Sequence, residues 1–204
     1  LIKIKEATAA GVDVFMSVIG DLKEELATNY ADLYALLIEW HAELIEEGDS
    51  ILLTSGSTIE AFAKILSPKG TLNVVTPSIR VGIYLSEKDD VNIMMLGGNL
   101  IVKSLSVRDS YTEEGLKYVR CNKAFFSCDG FDFDGGVTTA FVAEAKVTDT
   151  MLGVASEVIL MADSTKLGKS GFGKICDMSR VDTLITDAGL PQTVRERFED
   201  EGVK

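Results

Sequence analysis

The chain has 204 residues, 46% of them hydrophobic, and a formal net charge of −12. That size and composition suit a single domain with a sizeable core. The acidic balance excludes a surface that grips a polyphosphate backbone unaided, but not a pocket for one small anion. No apolar run approaches the roughly 18 residues of a membrane span. The opening Leu1-Ile2-Lys3-Ile4-Lys5-Glu6 lacks the apolar core of a secretory leader, so a soluble, cytoplasmic protein is expected. His41 is the only histidine, and Cys121, Cys128 and Cys176 leave an odd thiol without metal-type spacing. Multi-histidine zinc sites and histidine-dependent triads are thereby excluded, the cysteines are expected to be buried and reduced, and neither metal nor cofactor is expected.

In chain order, residues 1–20 read as a lead-in arm or linker and residues 21–204 as one folded domain. A helical pattern over 22–47 places Leu33, Leu37, Trp40 and Leu44 on one stripe, with His41 structural within it, and Gly48-Asp49 ends it. Short apolar runs then alternate with helical periodicity. Strands are predicted over 50–53, 72–76, 91–96, 123–127, 157–162 and 183–186. Helices are predicted over 58–66, 79–85, 109–119, 140–155 and 191–201. Ala143, Val147, Met151 and Val154 share one face of the fourth, and Pro191 stands in the first turn of the last. Near-continuous apolar strands separated by helices imply an α/β fold: a mostly parallel sheet with helices on both faces.

Ligands of such sheets sit beyond the carboxyl ends of the strands. Those ends read Thr54-Ser55-Gly56-Ser57-Thr58, Thr76-Pro77-Ser78, Gly97-Gly98-Asn99, Cys128-Asp129-Gly130, Ala162-Asp163-Ser164-Thr165-Lys166 and Thr186-Asp187. One polar loop is ordinary; five or six on one rim point to a site for a polar small molecule. At Gly56 a strand, a small-residue turn and a helix start coincide. Free backbone N–H groups and the positive end of a helix dipole suit a phosphate there. Taken alone, that segment does not distinguish a phosphate cradle from a βα turn that binds nothing. Lys166 offers a compact cation to the same rim or is a solvated loop lysine. Asp129-Gly130 and Asp163 offer carboxylate acceptors for hydroxyls or close Asx-type turns. Thr138, after Gly135-Gly136, lines the pocket or begins the next helix.

The order of these segments resembles the C-terminal sensor domain of DeoR-family transcriptional repressors, which shares a fold with ribose-5-phosphate isomerase. The resemblance runs from Asn29 to Asp187. It is carried by Glu47-Gly48-Asp49, Ser55-Gly56-Ser57-Thr58, Val74-Val75-Thr76-Pro77-Ser78, Met95-Leu96-Gly97-Gly98, Asp129-Gly130, Gly136-Val137-Thr138, Glu144-Ala145-Lys146, Ala162-Asp163-Ser164-Thr165-Lys166 and Leu184-Ile185-Thr186-Asp187. The resemblance implies a sensor for a phosphorylated sugar, not an enzyme. It also implies a homo-oligomer that reaches operator DNA only through a helix-turn-helix domain absent from this chain. The implied ligand-binding set is Ser55, Gly56, Ser57, Thr58, Thr76, Ser78, Gly97, Gly98, Asp129, Gly130, Thr138, Glu144, Lys146, Asp163 and Lys166. Thr54, Pro77 and Arg108 depart from the family pattern, which usually has an acidic residue, an asparagine and a glycine there.

The alternative implied by the same fold is aldose–ketose isomerisation. Asp129, Asp132, Glu144 and Lys146 stand in the order of the isomerase pattern, with Glu144 as base and Lys146 or Lys166 as electrophilic partner. Against it, Phe133 replaces a further acidic residue, and the glycine-rich loop is reduced to Asp134-Gly135-Gly136-Val137.

Overall fold

The computed structural model describes residues 44–204; the arm at 1–20, most of the helix at 22–47 and His41 lie outside the described residues. Six strands, β1 (Ser50–Leu53), β2 (Leu72–Thr76), β3 (Val91–Met95), β6 (Cys121–Phe126), β9 (Ala155–Met161) and β11 (Thr183–Ile185), form one sheet in the order β11-β9-β6-β1-β2-β3. Every neighbouring pair in it is parallel. The alternating side chains of each strand feed two separate cores. Ile51, Leu53, Phe125, Ile159 and Met161 pack with Ile59 and Phe62 of α1 (Ser57–Ile65) and Val81 and Leu85 of α2 (Ile79–Ser86). On the other face Leu52, Ala124, Phe126, Val158 and Leu160 meet α3 (Ser110–Leu116), α4 (Val142–Leu152) and α5 (Gln192–Asp200). The mostly parallel sheet with helices on both faces is therefore the observed architecture.

The second face also carries elements that the apolar pattern does not announce. β7 (Gly130–Asp132), β8 (Gly136–Thr139) and β10 (Gly173–Cys176) make a three-stranded antiparallel sheet. β4 (Leu100–Ile101) and β5 (Ser106–Val107) make a short ribbon. That ribbon hangs on the loop after β2, where Val107 N–H donates to the Pro77 carbonyl and Ile79 N–H to that of Leu105. Thr138, read from the sequence as lining the pocket or beginning the next helix, is a strand residue of β8 and begins no helix.

Helix α4 is shorter than its periodicity predicts. It ends at Leu152, capped by Gly153, and Ala155 already belongs to β9. Its buried side consists of Ala145, Val147, Thr148, Met151 and Leu152, while Ala143 is exposed. The helix packs on β10 as well as the main sheet, so its buried face widens away from the expected stripe. Pro191 stands one residue outside α5, at the N-cap position. At the far edge of the sheet, Lys204 lies along β11: Leu184 N–H donates to the Lys204 carbonyl, and Lys204 N–H to that of Asp182.

Candidate functional site

Strand order reverses between β1 and β6. From β1 the chain runs outward through β2 and β3, then returns to β6 on the other side. The carboxyl edge between β1 and β6 is therefore the switch point of the sheet, the position at which ligands of open α/β sheets bind. Thr54 N–H donates to the Phe125 carbonyl at 3.1 Å and the Ser127 hydroxyl to the Ser55 carbonyl at 3.4 Å, so the two strand ends stay in contact as far as Ser55.

The turn at Gly56 has a strict geometry. Gly56 adopts φ 124° and ψ 155°, a region that only glycine enters readily. A Cβ there would come within 2.6 Å of the Ser127 Oγ, which arrives from the end of β6. Gly56 is the N-cap of α1, and no side chain caps it. With Ser57 exposed and Ser55 and Thr58 half-buried, the start of α1 lies at this switch point without a side-chain cap on its first N–H groups. A helix start of this kind attracts anions.

A small cleft, open at its mouth and with about 20 Å³ of room at water-molecule scale, adjoins this turn and is lined by Thr54, Ser55, Pro77, Arg108, Glu144 and Thr148 among others. Its floor comes from the β1 and β2 loops, one wall from the ribbon and the other from α4. Arg108 Nη1 lies 2.5 Å from Glu144 Oε2 and its guanidinium stacks 5.2 Å from the Phe141 ring centre. Thr54, which departs from the acidic residue usual in the family pattern, is buried.

A second cluster stands at the ends of β6 and β9. Lys166 occupies a short 3-10 turn, 164–166, opened by Asp163, whose side chain accepts from the Thr165 N–H and hydroxyl. Among the described residues the Lys166 ammonium has no ion-pair or hydrogen-bond partner of its own. Burial pushes the nearby Cys128 thiol up to about 12, opposed by the Lys166 ammonium and reinforced by Asp129 and Asp163. Burial raises Cys121 to about 11 and Cys176 to about 12 as well, and all three cysteines are free thiols. Two strand spacings, about 10 Å, separate the loops after β9 and β1, a gap that a lysine side chain and a small ligand can share.

Several other candidates are placed where internal bonds occupy them. Thr76 and Ser78 are fully buried: Thr76 Oγ1 accepts from Ser78 N–H, and Ser78 Oγ from Val81 N–H as the cap of α2. Pro77 between them, not either hydroxyl, lines the cleft. Gly97 and Gly98 are exposed and tied to the start of α3, where Thr112 Oγ1 donates to the Gly97 carbonyl and Asp109 accepts from Asn99 N–H. Asp129 Oδ2 accepts from Ala140 N–H at 2.7 Å and from the Thr139 hydroxyl at 3.1 Å. Thr138 Oγ1 donates to the Gly130 carbonyl and accepts from Gly171 N–H. Gly130 admits the Lys169 carbonyl, which would lie 2.0 Å from a Cβ. It therefore seats the loop that follows Lys166.

Glu144 and Lys146 separate for a simple reason. Two residues apart on a helix, they point about 200° from one another. Glu144 faces the cleft while Lys146 is 70% exposed and pairs with Glu113 of α3. That divergence removes Lys146 as a partner for Glu144. Arg108 was visible in the sequence only as a departure from a pattern. Its place in the cleft depends on the ribbon, which no periodicity signals.

Residues 39–188 match the family described as the DeoR C-terminal sensor domain. The chain belongs to that family. A curated relative, an uncharacterized HTH-type transcriptional regulator of Bacillus subtilis, is 36% identical over 181 residues, covering 89% of this chain and 69% of its own length. The lactose phosphotransferase system repressor of Streptococcus mutans is 36% identical over 148 residues, covering 72% of this chain and 58% of its own. The chain thus spans roughly three fifths to two thirds of these longer proteins. A solved structure of a tetrameric eIF2B-beta2-delta2 complex from C. thermophilum matches with TM-score 0.55 at 15% identity, over 87% of this chain and 62% of that one; this likeness concerns the fold alone. The domain is accordingly a sensor domain of the DeoR family, whose curated relatives are named as transcriptional regulators and repressors. No helix among the described residues is long and apolar enough to cross a membrane.

Proposed function

We propose that this DeoR sensor domain binds a phosphorylated sugar, whose phosphate sits on the first-turn N–H groups of α1 and is reached by Lys166. The observation that carries the reading is the uncapped helix start at Gly56, which stands at the switch point of the sheet. The Lys166 ammonium, without a protein partner among the described residues, supports it. The name of the S. mutans relative, a phosphotransferase system repressor, agrees with a phosphorylated effector. The sugar would extend toward Asp163 and the cleft beside Thr54 and Ser55. Occupancy would then bias operator binding by a helix-turn-helix domain outside this chain, in a cytoplasmic homo-oligomer. The bias equals the difference in effector affinity between the two states of that assembly.

A thermal-shift screen of sugar phosphates beside their unphosphorylated parents tests this reading. At a ligand concentration about one hundred times the dissociation constant, binding adds about 2.7 kcal/mol of stability. The phosphate must be recovered unchanged and the parent sugar must do little. Lys166→Ala should weaken the response and leave the fold intact. Equal shifts by sugar and sugar phosphate would refute a phosphate site at Gly56.

A further inference from the structure

The cleft beside Gly56 holds a charged group that the helix start does not explain. Arg108 leaves the β4–β5 ribbon, whose attachment to the Pro77 loop fixes its base on one wall of the cleft. Its guanidinium crosses to the first turn of α4 on the other wall, where it meets Glu144 and covers Phe141. The Arg108 side chain is 18% exposed and that of Glu144 36%, so the pair is half-sheltered and its guanidinium is not a freely solvated surface cation. Thr54 and Ser55, which lead into the Gly56 turn, line the same cleft.

A guanidinium is permanently charged, and its planar fork fits a carboxylate or a phosphate equally well. We propose that Arg108 and Glu144 form an exchangeable clasp, in which the Glu144 carboxylate holds the place that the effector's anionic group takes when it binds. The proposal rests on the phosphate reading above and adds its specificity element. On binding, the Arg108 fork transfers from Glu144 to the incoming phosphate. Glu144 is then an internal competitor of the ligand, and the first turn of α4 loses its tie to the ribbon. The neutralised pair also keeps an empty cleft from presenting an uncompensated cation beside an uncapped helix start, which would otherwise capture any small anion.

Isothermal titration of inorganic phosphate into the 204-residue chain and its variants tests the clasp. Glu144→Gln removes the competing charge and should tighten phosphate binding at least threefold. Arg108→Ala should weaken it at least fivefold. Arg108→Lys keeps the charge but loses the fork, and should fall between wild type and Arg108→Ala. Circular dichroism of each variant separates lost binding from lost folding, and the lysine variant carries the test if the alanine variant does not fold. Unchanged or tighter binding in folded Arg108→Ala would make the arginine a plug and overturn the proposal. Weaker binding in Glu144→Gln would make the glutamate a ligand and overturn it too. If Lys166→Ala weakens phosphate binding while the Arg108 and Glu144 variants match wild type, the phosphate site stands and the clasp falls. If the wild-type chain takes up no phosphate and no sugar phosphate raises its melting temperature, both fall.

Discussion

Replacing Gly56 by alanine isolates the contribution of the turn that opens α1. Two costs arise together. At φ 124° and ψ 155° an L-residue sits in a region used almost solely by glycine, which costs on the order of 1–3 kcal/mol. The new methyl would also stand 2.6 Å from the Ser127 Oγ, and relieving that overlap requires the serine to rotate or the β1 loop to retreat. Crowding of this kind adds roughly 1 kcal/mol, so a loss of about 2–4 kcal/mol is expected. At about 2–4 °C per kcal/mol for a chain of this size, Gly56→Ala should melt roughly 4–16 °C below wild type. Urea denaturation gives the free energy, and a cycle with Ser127→Gly divides it. Removing the serine side chain should recover the crowding component, leaving the conformational one. A Gly56→Ala variant within 0.5 kcal/mol of wild type would mean that the turn relaxes freely and that its geometry is not enforced.

Two further outcomes follow from internal bonds at the rim. Asp129→Ala leaves the Ala140 N–H and the Thr139 hydroxyl without their acceptor; hydrogen bonds to a charged group contribute about 1.5–3 kcal/mol, so urea denaturation should show a loss near the lower figure at this exposed position. Asp187 is destabilised as an anion by burial, but the Ser164 N–H and hydroxyl and the Gly189 N–H outweigh this and hold its carboxyl below the usual range. Its contribution is present above the unfolded value near 3.8 and is lost as pH falls through the lower folded value. Urea midpoints followed from pH 6 down to pH 2.5 should therefore fall less steeply in Asp187→Asn than in wild type, and parallel curves would remove Asp187 from the acid response.

The central sheet was legible because its inner strands are buried on both faces. Runs such as Ile51-Leu52-Leu53 and Ala124-Phe125-Phe126 must then be apolar at every position. The second sheet was not, because β7, β8 and β10 are three or four residues long and open on glycine. Gly130 and Gly136 are required by contacts with the Lys169 and Cys176 carbonyls, distant in sequence, so nothing local marks them as strand ends. At the site, strand-end position correctly located the rim but said nothing about side-chain direction. Thr76 and Ser78 turn into their own loop while Pro77 faces the cleft. Arg108 could be noticed as unusual, but its meeting with Glu144 depends on a fold-back of 36 residues that no spacing reveals.

The two margins of the main sheet differ in one respect. The outer backbone groups of β11 are already bonded to Lys204, whereas β3 is bonded among the described strands only on its β2 side and carries half-exposed Met94 and Met95. Of the two rims of the main sheet, the β3 rim is therefore the one that, among the described residues, leaves a row of backbone N–H and C=O groups to which a further strand could add.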